Sequence, residues 1–496
     1  MRVILRTFSR SPRLGMTCSV AVVLGGLLLV RPGAAIADDA AASPSATKVA
    51  SVQSIDRQAA DLGRIADEIW GFAETALREH RSAAVLADYA EKKGFKVERN
   101  VDGMPTAFIA SYGSGRPIIG IIGEFDALPG LSQKAEPEQS PLVQGAPGHG
   151  CGHNLFGAAS LGAAVAVKEQ IAAGKLSGTL RYYGTPAEEN IGGKAYMARD
   201  GLFNDLDVLL AWHPDDNTKA DTASTSAMVD VAIEFHGHAA QAARDPWDGR
   251  SAVDALELFT HGINLMREHV HPSSRMHYTI AAGGDVPNVV PAYGKVWLWL
   301  RDPQRAEVES LLARVRKLAE GAATMTETSS TVTVQGGSWE LLNNTAGAQL
   351  IDANLHWLWP ITYTEQEQSF ARALQQATGI PQVGMDTEIR SLEGQETMSS
   401  STDIGDVSWI VPVLHFTVAT APEGTPWHSW PVVAASGTSI GHKGLVLAAK
   451  TLAATTVDLY EQPAALKAVR DEFATRRGEV VFRAYVPDGP PPVPTN

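Results

Sequence analysis

Between Pro117 and Glu124 the chain holds only isoleucine and glycine, in the order Ile-Ile-Gly-Ile-Ile-Gly. A strand with one wetted face alternates apolar and polar residues, so an unbroken apolar run this short is expected where both faces are covered. Similar runs occur at 178–184, 207–212 and 411–418, with Ala/Leu-rich helical stretches such as 155–173 and 445–460 between them. Ahead of them, 55–75 and 81–93 carry helical apolar spacing, while 96–98 and 106–112 read as short strands. This alternation predicts an α/β fold with a mostly parallel sheet covered by helices. Reactive residues should then gather where loops leave the carboxyl ends of the strands.

The middle of the chain breaks the pattern. Strand-like 228–235, helical 251–268, strands 276–282 and 293–301, a long amphipathic helix at 303–324 and a strand at 331–335 follow in the order β-α-β-β-α-β. That order is the ferredoxin-like split βαβ arrangement. The expected organisation is therefore a catalytic domain in two parts, 55–225 and 341–480, interrupted by an inserted α+β domain at 226–340. A flexible linker at 38–54 and a Pro-rich loose tail at 481–496 complete it.

Composition excludes several classes. With 496 residues and 44% hydrophobic content the chain can bury a core, and two cysteines, Cys18 and Cys151, cannot build a disulfide framework. A formal charge of −14 without a basic cluster argues against nucleic acid and against an anionic membrane surface, both of which need Lys/Arg to replace counterions. Arg2, Arg6, Arg10 and Arg13 precede an apolar run from Leu14 to Val30, and Ala35-Ile36-Ala37 follows, which is the layout of a signal peptide spanning 1–37 and cut after Ala37. A retained anchor is the competing reading, but 17 apolar residues interrupted by glycines sit at the short limit for a span. A periplasmic or secreted protein is expected, with a mature charge of −19, one cysteine and no membrane attachment after cleavage.

Chemistry concentrates around Gly148-His-Gly-Cys-Gly-His-Asn154, just before a helix. A thiol and an imidazole two residues apart, in a glycine-rich loop, suit a soft-to-borderline divalent metal. Alone, the pair would read better as a buried cysteine beside a turn histidine. It is not alone: Glu188 and Glu189 follow one apolar run, His213 follows the next, and His428 lies in the loop after the last. Cys151, His153, Glu189, His213 and His428 exceed the three or four ligands of one zinc, so two metals sharing a bridge are inferred. Adjacent carboxylates diverge, so one can bind metal while the other takes a proton from activated water.

With those segments, Gly123-Glu-Phe-Asp-Ala-Leu-Pro129, Pro287-Asn-Val-Val-Pro291, Ser401-Thr-Asp-Ile-Gly-Asp-Val-Ser408 and Gly437-Thr-Ser-Ile-Gly-His-Lys443, the chain resembles the M20 metallopeptidases across about 55–460. The resemblance is strongest to the amidohydrolase branch of aminobenzoyl-glutamate and amino-acid-conjugate hydrolases. It implies a binuclear site, Zn²⁺ or Mn²⁺, on Cys151, His153, Glu189, His213 and His428, with Cys151 or His153 near the bridge, Glu188 as general base and Asp126 orienting a ligand. It also implies that Asn288 and Arg301 hold a substrate carboxylate, although Arg301 reads equally well as an ordinary strand-end arginine beside Asp302. Where the family places a histidine that stabilises the oxyanion, Gln241 stands here.

The function expected is hydrolysis of the amide in small N-acyl or aminobenzoyl amino acids with a free α-carboxylate, by a homodimer joined through the inserted domain. A carboxypeptidase or dipeptidase of the same family, or a metal-containing binding protein with little activity, are the alternatives.

Overall fold

The computed structural model describes residues 43–494. The segment expected to be a signal peptide, 1–37, and most of the expected linker before Pro44 lie outside the described residues. The first part of the chain forms α1 (Ala46–Phe72), α2 (His80–Lys92), β1 (Lys96–Arg99), β2 (Phe108–Gly113), β3 (Ile118–Glu124), α3 (His153–Ala172), β4 (Thr179–Thr185), α4 (Gly193–Arg199), β5 (Val208–Asp215) and β6 (Lys219–Ala220). The inserted segment follows as β7 (Ala227–His236), α5 (Ala252–Met266), β8 (Arg275–Ala282), β9 (Tyr293–Asp302), α6 (Arg305–Met325) and β10 (Ser329–Ser338). The chain then returns through α7 (Thr345–Leu358), α8 (Glu365–Thr378), α9 (Ile404–Ser408), β11 (Val413–Ala419), α10 (Trp430–Ser436), α11 (Ser439–Glu461) and α12 (Pro463–Arg477).

The apolar runs pair as their composition requires. β4, β3, β5 and β11 are parallel neighbours at the centre of a seven-stranded sheet ordered β1-β2-β4-β3-β5-β11-β6. β1, β2 and β6 close its flanks antiparallel. From Ile119 to Glu124, β3 is buried throughout, with α3 packed on it. The return strand β11 brings 413–419 beside β5, so residues far apart in the chain share one edge of the sheet. The inserted segment forms a separate antiparallel sheet, β10-β7-β9-β8, with an apolar core built from α5, α6 and one face of the strands.

Two segments differ from expectation. α1 begins at Ala46, inside the stretch expected to be a flexible linker. Ser45 caps it by accepting the Lys48 amide, the Lys48 ammonium reaches Asp458 at 2.7 Å, and Ser51 and Ser54 are buried. An Ala/Ser-rich composition reads as loose, yet alanine has the highest helix propensity and serine is a favoured cap. The tail is likewise packed: Phe482 stacks on Trp339 with centroids 5.0 Å apart, the Trp339 indole donates to the Arg483 carbonyl, and Tyr485 packs on the core of the inserted sheet. Prolines remove backbone donors without preventing side chains from docking.

Candidate metal centre

Every strand of the central parallel set delivers a polar residue at or beyond its carboxyl end, and these converge. β3 delivers Glu124 and then Asp126, β4 leads to Glu188 and Glu189, β5 carries His213 near its end, and the loop after β11 carries His428. Cys151 and His153 come from the entry to α3. Gly152 precedes that helix with φ of +74°, and a side chain there would meet Pro214 at 2.8 Å, so the loop needs glycine to bring Cys151 beside β5. Ala187 (φ 63°) and His428 (φ 55°) both adopt the left-handed conformation that non-glycine residues rarely take. The Ala187 amide is held at 3.0 Å by the buried Glu79 carboxylate, which also accepts from the Thr106 hydroxyl, and this turn throws Glu188 and Glu189 apart.

The Cys151 sulfur lies 3.4 Å from His213 Nε2, and the Glu189 carboxylate lies 3.4 Å from His428 Nε2. Donor atoms of Cys151, His153 and His213 all fall within 4.8 Å of one another, and so do those of Cys151, Glu189 and His428. Cys151 is common to both sets. Asp126 ties the sets together: one oxygen pairs with His153 Nδ1 at 3.0 Å and the other accepts the Glu189 amide at 2.9 Å. With Nδ1 engaged, His153 keeps Nε2 free of any hydrogen-bond partner, the arrangement by which an outer carboxylate fixes which nitrogen of a histidine binds metal.

The donor set fits a divalent cation. His153 Nε2, Glu189 Oε1 and Glu124 Oε2 are buried without a hydrogen-bond partner. Burial pushes the Cys151 thiol well above its ordinary value, with Glu189 adding to the shift, so only a nearby cation would make it a thiolate. Burial pulls His213 down to about 3, which leaves it neutral and able to coordinate. His153 behaves oppositely: burial pulls it down, but Cys151, Glu124 and Asp126 together hold it well above the usual range.

Glu188 is pushed well above the carboxylate range, first by burial and then by the charges of Glu124, Glu189 and Asp403, with Lys194 opposing. Lys194 is fully buried, its ammonium 2.7 Å from Glu124 and 2.6 Å from Asp403. Neither Glu124 nor Lys194 was expected from the sequence. Glu124 sits at the carboxyl end of an apolar strand, the same topological signal that marks Glu188 and His213, and could have been found that way. Lys194 carries no such signal, because a lone lysine opening a helix reads as solvated.

The inserted domain treats its candidates differently. Gln241 and Asn288 are exposed neighbours on two loops that pair backbone to backbone, and the Gln241 side-chain oxygen accepts the Arg244 amide. Arg301 lies near the far end of β9, stacked on Trp299 at 5.0 Å. Asn288 lies on the loop before β9, whereas Arg301 is eight residues beyond Tyr293 within that strand, ~27 Å along it at a rise of ~3.4 Å per residue. Asn288 and Arg301, which the resemblance assigns to a substrate carboxylate, thus stand toward opposite ends of β9 within one chain. His149, beside the ligands in sequence, bonds the Ile69 carbonyl at 3.0 Å instead.

Comparison with known proteins agrees with this architecture. Residues 120–411 match peptidase family M20/M25/M40. The chain is 39% identical over 463 residues to a p-aminobenzoyl-glutamate hydrolase component of Escherichia coli, covering 87% of this chain and 95% of that protein. It is 28% identical over 459 residues to the Xaa-Arg dipeptidase of Homo sapiens, covering 88% and 94% respectively. Among solved structures, a Bacillus subtilis protein described as a dinuclear metal-binding peptidase of family M20 shares the fold, with a TM-score of 0.58 at 16% identity over 82% of this chain and 99% of that one. The chain accordingly belongs to peptidase family M20/M25/M40 and is a metal-dependent hydrolase of that family.

Proposed function

We propose that this hydrolase cleaves the amide bond of small N-acyl or aminobenzoyl amino acids whose leaving amino acid keeps a free α-carboxylate. The observation that carries the reading is Cys151's membership of both donor sets, with Glu188 beside them. One divalent ion would be held by Cys151, His153 and His213 and another by Cys151, Glu189 and His428, as Zn²⁺ or Mn²⁺. Such ions supply Lewis acidity, acidifying water and polarising a carbonyl. Glu188 would be the proton carrier: its carboxylate takes a proton from the attacking water as the new carbon–oxygen bond forms and gives it to the departing amine as the carbon–nitrogen bond breaks. Asp126 fixes the His153 ring and the Glu189 backbone at once. Gln241 offers a neutral donor where the family places a histidine.

The 39% identity to a component of an aminobenzoyl-glutamate hydrolase supports this substrate class. The dipeptidase relative favours a second reading, in which free-amine dipeptides are the better substrates. A screen of N-acyl amino acids against free-amine dipeptides, read by amine release, separates them. Glu188→Gln should lower kcat by roughly 10²–10⁴-fold while elemental analysis still finds two ions per chain; near-normal turnover would remove Glu188 as the base.

The reading includes export and self-association. A buried, unpaired Cys151 suits an oxidising compartment only if it is occupied by metal. The inserted sheet ends in the open edge of β8, a surface able to join a second copy. Amino-terminal sequencing of the exported protein and light scattering test these two points.

A further inference from the structure

Glu124 is 2% exposed, and its two oxygens have different surroundings. Oε1 is 2.7 Å from the Lys194 ammonium, whose other partner, Asp403, also accepts the Lys194 backbone amide at 2.8 Å. Oε2 has no hydrogen-bond partner and lies 3.1 Å from His153 Nε2, itself unpartnered. Donor atoms of Glu124, His153 and Glu188 fall within 4.8 Å of one another, a third set beside the two already described. An ion-pair role alone leaves the second oxygen unexplained, because a buried carboxylate oxygen facing a ring nitrogen is expensive unless something positive joins them. Ligand distances of about 2.0–2.2 Å for oxygen and 2.0–2.1 Å for imidazole nitrogen put two donors on one ion about 3 Å apart. Carboxylates that bind metal through one oxygen are commonly held by a hydrogen bond at the other.

We infer that Glu124 is a sixth protein ligand of the centre, on the ion held by His153, and that Lys194, braced by Asp403, is the residue that presents it. The inference rests on the two-ion reading above and adds to it. Lys194 is a positioning residue in this scheme. It touches Glu124 and Asp403 and holds the first carboxylate turned toward His153.

The test uses metal alone. The full chain, stripped and titrated with Co²⁺ against a chelator, should bind two ions, with thiolate-to-cobalt absorption reporting Cys151. Glu124→Gln, close to isosteric, should weaken one binding step by about 10–100-fold and shift the ligand-field bands, while the other step and the thiolate absorption stay as in the wild type. Asp403→Asn should weaken that same step several-fold, and Lys194→Met by about 10–100-fold if it folds. Two wild-type affinities and unchanged bands in Glu124→Gln would overturn Glu124 as a ligand. A weakened step in Glu124→Gln with none in Asp403→Asn would overturn the presenting role. A wild type that binds no divalent ion would sink the two-ion reading and this inference together, whereas failure to hydrolyse N-acyl amino acids would sink only the substrate assignment.

Discussion

Around the large sheet, Lys194, Glu124, Asp126, Asp403 and Asp406 are each 4% exposed or less, whereas among the described residues of the inserted sheet Asp302 is the one buried carboxylate. Asp302 is locally satisfied, by the hydroxyls of Ser273 and Ser274 and the Gln304 amide. The large sheet's charges are satisfied only in part: Glu124, Glu189, Asp403 and Asp406 each keep a buried oxygen without a hydrogen-bond partner. Burying charge is destabilising unless pairing is complete, so the inserted domain is arranged to persist and the other to do chemistry. Stability in the first comes from apolar contact and in the second is partly deferred to a cation.

Removing Cys151 should exploit that contrast most. Cys151→Ala takes a donor from both sets, so ion stoichiometry should fall from two toward zero, turnover should drop to background, and heat or protease should reach the large sheet while hydrogen exchange leaves β7 to β10 protected. Equal loss of protection in both sheets would erase the distinction.

Acid probes the same contrast more gently. Glu367 takes a proton only near pH 2, because although burial raises it, bonds from Lys443, the Thr364 amide and Ser439 outweigh burial. Its ordinary value is 4.5. A carboxylate depressed by folding contributes stability that is present in full above pH 4.5 and is lost as pH falls toward 2. Glu367→Gln should therefore cost on the order of 2–3 kcal/mol near neutrality and flatten the stability curve between those limits, measured by urea unfolding; an unchanged acid limb would show that the α8–α11 clamp does not matter.

Within the inserted domain, Asn288→Ala and Arg301→Met should each raise KM by no more than about tenfold, and the double variant should be additive within about 0.5 kcal/mol, as for distant sites. Coupling above about 1 kcal/mol would mean that the residues meet on one substrate through a second copy. The smallest effect expected is that of Gln241→His, a change in kcat of a few-fold without any change in bound metal, read from initial rates.

How much of this was legible follows the same division. The parallel strands could be read because burial on both faces forces runs such as Ile118–Gly123, and the cluster of candidate donors because strand ends in such sheets converge. Glu124 carried the same signal, but its pairing with Lys194 did not, since nothing local says that a lysine is buried. For Arg301 and Asn288 the motif conveys identity alone, while their placement toward opposite ends of β9 comes from the structure. The start of α1 was hidden because alanine and serine serve flexible and helical segments equally.

The tail supplies a last consequence. The chain crosses between the two sheets near Ser226 and again near Trp339, and two ties make a hinge. Phe482 belongs to the core of the large sheet and Tyr485 to that of the inserted one, so the tail spans the same boundary a third time, and Arg199 then grips the carbonyls of Pro487 and Gly489 on the far side. A third tie turns a hinge into a clasp. Swinging one sheet against the other means undoing an aromatic seat first, and a single proteolytic nick in that short stretch would free the motion without breaking a hydrogen bond in either sheet.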